Sequence, residues 1–71
     1  MTEVPAHITG TVWKIEVKVG QNVSAGETLV ILESMKMEMP VEAEDPGVVT
    51  EILCREGQSV SEGDTLVVLD D

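Results

Sequence analysis

The chain repeats itself. Shifted by 37 positions, Gly10 to Glu33 (GTVWKIEVKVGQNVSAGETLVILE) lies without gaps over Gly47 to Asp70 (GVVTEILCREGQSVSEGDTLVVLD). Of the 24 aligned pairs 12 are identical, and all six glycines fall into three matched pairs. The register extends back to Val4 over Val41 and Ala6 over Ala43. Two copies are too few for a solenoid, which needs about three units to bury a continuous core. A chain of 71 residues is also too short for two independent cores. The halves must therefore share one core, which predicts a single domain over residues 1–71 with a pseudo-two-fold axis relating 3–33 to 40–70.

Local patterning gives the elements. Trp13, Ile15, Val17 and Val19 alternate with Lys14, Glu16 and Lys18, the period of a half-buried strand. Leu29 to Leu32 is a continuous apolar run, as in a strand covered on both faces. Thr50 to Arg55 and Leu66 to Leu69 repeat the two patterns. GQNVSAGE and GQSVSEGD each place a valine between two glycines. Glycine supplies the positive φ of tight turns, so each reads as turn, very short strand, turn, with Val23 or Val60 entering the core. Pro5, Pro40 and Pro46 sit where they would break a helix. The expected fold class is all-β: two small antiparallel sheets forming a flattened barrel or sandwich.

Composition narrows the function. Fourteen acidic residues against four basic ones give a formal net charge of -10. That is the reverse of the basic footprint needed for nucleic acid or an anionic membrane surface. It suits solubility, or a partner with a basic docking face. The N-terminus has neither the basic start nor the apolar block of a signal peptide, and no apolar run approaches a bilayer's thickness. A cytoplasmic protein is expected. One His and one Cys cannot build a structural zinc site, and no nucleophile is visibly paired with His7, so no catalytic set is expected. His7 reads as structural or solvated. Cys54, aligned with Val17, reads as a small buried hydrophobe. Trp13, the only aromatic residue, reads as packing.

One stretch has no partner in the repeat. SMKMEM (Ser34 to Met39) must join the strand ending at Glu33 to one beginning near Pro40, and so projects from one end. It carries three of the four methionines, Met35, Met37 and Met39, with Lys36 between the first two and Glu33 and Glu38 flanking them. Chemistry alone leaves two placements open. The methionines can fold back into the core beside an ordinary surface lysine. Alternatively, they form a soft surface for another protein to grip, beside an amine that acts as a nucleophile toward an activated acyl group.

With these residues in view, the sequence resembles a biotinyl domain of the biotinyl/lipoyl attachment family over nearly its whole length. The likeness rests on the Gly10–Val12 start, the V-x-V-G-x-x-V-x-x-G element at Val17–Gly26, ESMKME at Glu33–Glu38, and the second half from P-V-E-A to G-D-T-L. It departs at Ala6–Gly10, AHITG where many such domains read A-P-M-P-G, and at Ser34, where Ala is common. The short segment after Gly20 leaves no room for the protruding thumb of some relatives. The resemblance implies a carrier and not an enzyme. Lys36 would receive biotin covalently from a biotin protein ligase that reads Met35 and Met37. Glu33, Ser34 and Glu38 would form the flanks of the hairpin. The biotin arm would carry a carboxyl group between a biotin carboxylase and a carboxyltransferase, with the stand-alone domain acting as a monomer. A lipoyl carrier, or an unmodified interaction module on the same fold, are the alternatives.

Overall fold

The computed structural model describes residues 1–70; Asp71, the last residue of the expected domain span, lies outside the described residues. Eight strands follow one another: β1 (Thr2–Pro5), β2 (Gly10–Ile15), β3 (Asn22–Val23), β4 (Thr28–Ser34), β5 (Met37–Glu42), β6 (Gly47–Ile52), β7 (Ser59–Val60) and β8 (Thr65–Asp70). They form two four-stranded sheets, one ordered β1-β8-β6-β3 and the other β5-β4-β2-β7. All pairings are antiparallel. The sheets stay separate, so the fold is a flattened sandwich and not a closed barrel.

The repeat becomes a two-fold operation on this topology. The 37-residue shift carries β1 to β5, β2 to β6, β3 to β7 and β4 to β8, and so turns one sheet order into the other. Each sheet mixes strands from both halves, so each half completes the other's sheet. The cross-links come in symmetric pairs. Gly20 N donates to Val49 O at 2.7 Å, and Gly57 N donates to Val12 O at 2.7 Å. Ala6 N donates to Asp64 O at 2.8 Å, matched by Ala43 N to Glu27 O at 3.0 Å.

The core follows the same rule. Its members are Val4, Ala6, Val12, Val17, Val23, Leu29, Val30 and Leu32 with their repeat mates Val41, Ala43, Val49, Cys54, Val60, Leu66, Val67 and Leu69. Val23 and Val60 enter it from two-residue strands, as the turn–strand–turn reading requires. Cys54 is buried where Val17 is buried, as expected. Small aliphatic side chains dominate because the sandwich is thin.

The predicted strand through Val19 does not form. β2 ends at Ile15, and its pairing with β4 shifts register between Val12 and Lys14. Trp13 is the extra residue of a β-bulge, which changes the phase of the alternation. Val12 is therefore inside, while Trp13 remains 47% exposed instead of packed. Val19 falls in the turn before Gly20 and is 63% exposed. The turn is held by Gln21 N donating to Lys18 O at 3.1 Å and by Lys18 N donating to Gln21 Oε1 at 3.1 Å. The second half bulges at the equivalent place, between Val49 and Glu51, and β6 spans Gly47–Ile52 and not the predicted Thr50 to Arg55. Further register shifts at Leu29 and Leu66 let two consecutive side chains enter the core, which accounts for the continuous apolar runs.

Candidate functional site

β4 and β5 form a hairpin at one end of the sandwich. Their ladder runs Ile31↔Pro40, Leu32↔Met39, Glu33↔Glu38 and Ser34↔Met37. Only Met35 and Lys36 lie outside it, so the unpaired stretch is a two-residue turn and not the six-residue link expected; Met37 to Met39 belong to β5. Both turn residues have positive φ, 52° at Met35 and 64° at Lys36. Two-residue hairpins favour this mirror-image turn because its twist matches the strands, and they normally fill it with Asn-Gly. In Met and Lys the left-handed conformation costs roughly 1–2 kcal/mol per residue. The ladder imposes it, since Ser34↔Met37 closes the hairpin whatever occupies the tip.

The turn places Lys36 at the tip of the hairpin, where it is exposed. Among the described residues its amine has no hydrogen bond or ion pair; the exposed pair Lys14–Glu16, at 3.7 Å, lies elsewhere on β2. Met35 is 92% exposed and Met37 62%. The two methionines therefore stand beside the lysine in solvent, and the alternative that they fold into the core does not hold. Met39, opposite buried Leu32, is half-buried at the sheet edge.

The flanking residues divide between the two sides of the sheet. Ser34 is half-buried and sits opposite Met37. Glu33 and Glu38 face one another across the ladder, both exposed on the outer side. Like charges directly opposite are destabilising, so this pair is a standing electrostatic cost at the shoulder of the hairpin. Sequence reasoning named both acids but not their opposition, which needs the register. Gly10 begins β2 against this shoulder: a Cβ there would lie 2.6 Å from Glu33 O. Only glycine permits that approach of β2 to β4.

Such a site presents a primary amine, unpaired among the described residues, on a water-exposed tip between two thioethers. It can be acylated by an incoming enzyme. A family model described as "Biotin-requiring enzyme", covering biotin and lipoyl attachment, matches residues 1–69. The chain belongs to the biotin/lipoyl attachment family. It is similar to a biotin/lipoyl attachment protein of Bacillus subtilis, 44% identical over 41 residues, which are 58% of this chain and 56% of that one. A biotinylated protein of Mycolicibacterium smegmatis is 49% identical over 41 residues, 58% of each chain. Among solved structures, the urea carboxylase of Kluyveromyces lactis contains a matching region with a TM-score of 0.92 and 38% identity, covering 97% of this chain and 6% of that one. The chain thus spans somewhat over half the length of these two curated relatives. Biotin/lipoyl domains are carriers, and carboxylases are among the proteins that contain them.

Proposed function

We propose that the chain is a biotin carrier and that Lys36 is its attachment point. The observation that carries the reading is the solvent-exposed Lys36, without a partner among the described residues, at the apex of a two-residue turn between exposed Met35 and Met37. In the attachment step the Lys36 amine, once deprotonated, attacks the carbonyl carbon of an activated biotin acyl group. An amide N–C bond forms, the bond from that carbon to its activating group breaks, and the amine proton passes to solvent or to a base of the ligase. Biotin, once bound, supplies a ureido nitrogen able to carry a carboxyl group. The sandwich fixes the root of the arm, so tethering raises the local concentration of the group at each enzyme it visits.

Met35 and Met37 are the side chains a biotin protein ligase would grip, and Glu33, Ser34 and Glu38 form the shoulders that hold them apart. A biotin carboxylase and a carboxyltransferase are the enzymes the arm would serve, in the cytoplasm, from a monomeric domain. Methionine on both sides of the lysine favours biotin over lipoate as the cargo. The test is intact-mass measurement after incubation with a biotin protein ligase, ATP and biotin. The wild-type chain should gain one biotinyl group and Lys36→Arg none. Addition to Lys36→Arg, or a lipoyl increment on the wild type isolated from its own cells, would overturn the reading.

A further inference from the structure

The two-fold operation makes each outer face a control for the other, and the faces differ. On the outer face of the hairpin-bearing sheet, the bulge presents Trp13 and Lys14 against Ile31, which pairs in turn with Pro40. Ile31 lies between buried Val30 and Leu32, is only half-buried and takes no part in the core cluster, so it points outward. The equivalent row on the other sheet is Thr50 and Glu51, Val68 and Glu3. There Val68 is buried, and Thr50 Oγ1 donates to Val68 O at 3.1 Å. One face thus carries a Trp-Ile-Pro row with Trp13 and Pro40 exposed and Ile31 half-buried, and the other a polar, closed one. Glu33 and Glu38 border the apolar row on its hairpin side.

The row lies close to Lys36. Trp13 bulges beside the Leu32 and Ile31 rungs, about three rungs or roughly 10 Å from the rung that closes the turn. We infer that the outer-face row of Trp13, Ile31 and Pro40, bordered by Glu33 and Glu38, is a second docking surface for the enzyme that acylates Lys36, through an apolar pocket edged by Lys or Arg side chains. The inference rests on the biotin-carrier reading and names a contact beyond the hairpin itself. An unmodified lysine reaches only about 6 Å beyond its Cα, so the acylating enzyme must close on the tip itself. Enzymes that work on the end of a finished arm can stand further off. A stable interface covers about 800 Å² per partner, a disc of roughly 16 Å radius, which centred on Lys36 includes Trp13. Charge selects the pocket's border. The chain carries a net charge of -10, and Glu33 and Glu38 oppose one another with no ion pair among the described residues. Cations on the partner would relieve that repulsion. Tryptophan is also among the residues that most often anchor interfaces.

The repeat supplies the test variant. Trp13→Thr installs the residue its mate Thr50 carries at the same bulge. With a ligase that acylates the wild type, this variant should raise KM at least tenfold and leave kcat within twofold, the mark of a docking contact remote from the reacting atoms. Thr50→Val on the opposite sheet should leave KM unchanged. Trp13 is the chain's only indole, so in 15N-labelled carrier its Nε1–H resonance should shift or broaden when unlabelled ligase is added, whether or not the variant folds. Unchanged KM in folded Trp13→Thr overturns the inference. So does a static indole resonance while the Lys36 amide broadens. A wild type that no ligase acylates overturns the carrier reading, and this inference with it.

Discussion

Replacing Met35 and Lys36 with Asn and Gly should make the protein more stable while removing the amine proposed as its attachment point. Both positions are held at positive φ, at a cost of roughly 1–2 kcal/mol for each ordinary side chain. Asn-Gly is the pair that adopts this turn most readily, so most of the cost is relieved. Part of the gain is returned, because glycine loses about 0.5–1 kcal/mol more conformational entropy on folding. The net expectation is about 1–2 kcal/mol of added stability. For a domain this small, each kcal/mol moves Tm by about 4–8 °C, so Tm should rise by roughly 5–15 °C. Urea unfolding followed by Trp13 emission and by far-ultraviolet circular dichroism measures this directly. The midpoint should rise with the slope unchanged. An unchanged or lowered midpoint would show that the turn stores no strain, and that its shape owes nothing to the ladder that closes on it.

Three further outcomes follow from the packing and the charges. Gly10→Ala puts a methyl group 2.6 Å from Glu33 O and should cost about 1–3 kcal/mol as β2 is forced away from β4; an unchanged melting midpoint would contradict the close approach. Glu38→Gln removes the repulsion facing Glu33 and should stabilise by up to about 1 kcal/mol at low salt, an advantage that shrinks in 1 M salt as screening takes over; a gain indifferent to salt would point to another cause. Burial pushes the Cys54 thiol above its ordinary value, so in alkali the unfolded chain releases that proton before the folded one does. The thiol's contribution to stability is complete below the free-thiol range and falls as pH rises through it. Cys54→Val, the residue its mate Val17 carries, should remove that alkaline decline; urea midpoints compared from pH 7 to about pH 10.5 test it, and parallel curves for the two proteins would refute it.

Much of this was legible in the chain because the repeat compares each residue with a partner under equivalent constraints. Every member of the core cluster has its mate in that cluster, so the pairing of Val17 with Cys54 located the thiol before any coordinates did. The same comparison held information that alternation concealed. Trp13 and Val19 continue an apolar period, yet their mates are Thr50 and Glu56, and polar mates mark positions that face water. Alternation failed there because a bulge shifts the phase, and a bulge is decided by pairing between strands distant in sequence. The place of Lys36 between the halves was legible from the repeat, but its residues alone left two placements open, and only the resemblance to the attachment family singled out its amine. The two-residue turn, the opposition of Glu33 and Glu38 and the approach at Gly10 depend on register, which no local pattern encodes.

The exchange of strands between sheets also decides what occupies the pole opposite Lys36. The rung Thr2↔Leu69 is the counterpart of Met39↔Leu32, so where one pole has a turn, the other has the start of β1 and the end of β8. The molecule is 32 Å along its greatest dimension. Any protein fused at either terminus therefore departs from the far pole and leaves the lysine unobstructed. A circular permutant makes the point constructively: opened between Met35 and Lys36 and closed at the far pole, beyond the Thr2↔Leu69 rung, through a new turn holding a Met-Lys pair, it would present its lysine at the other pole of the same body.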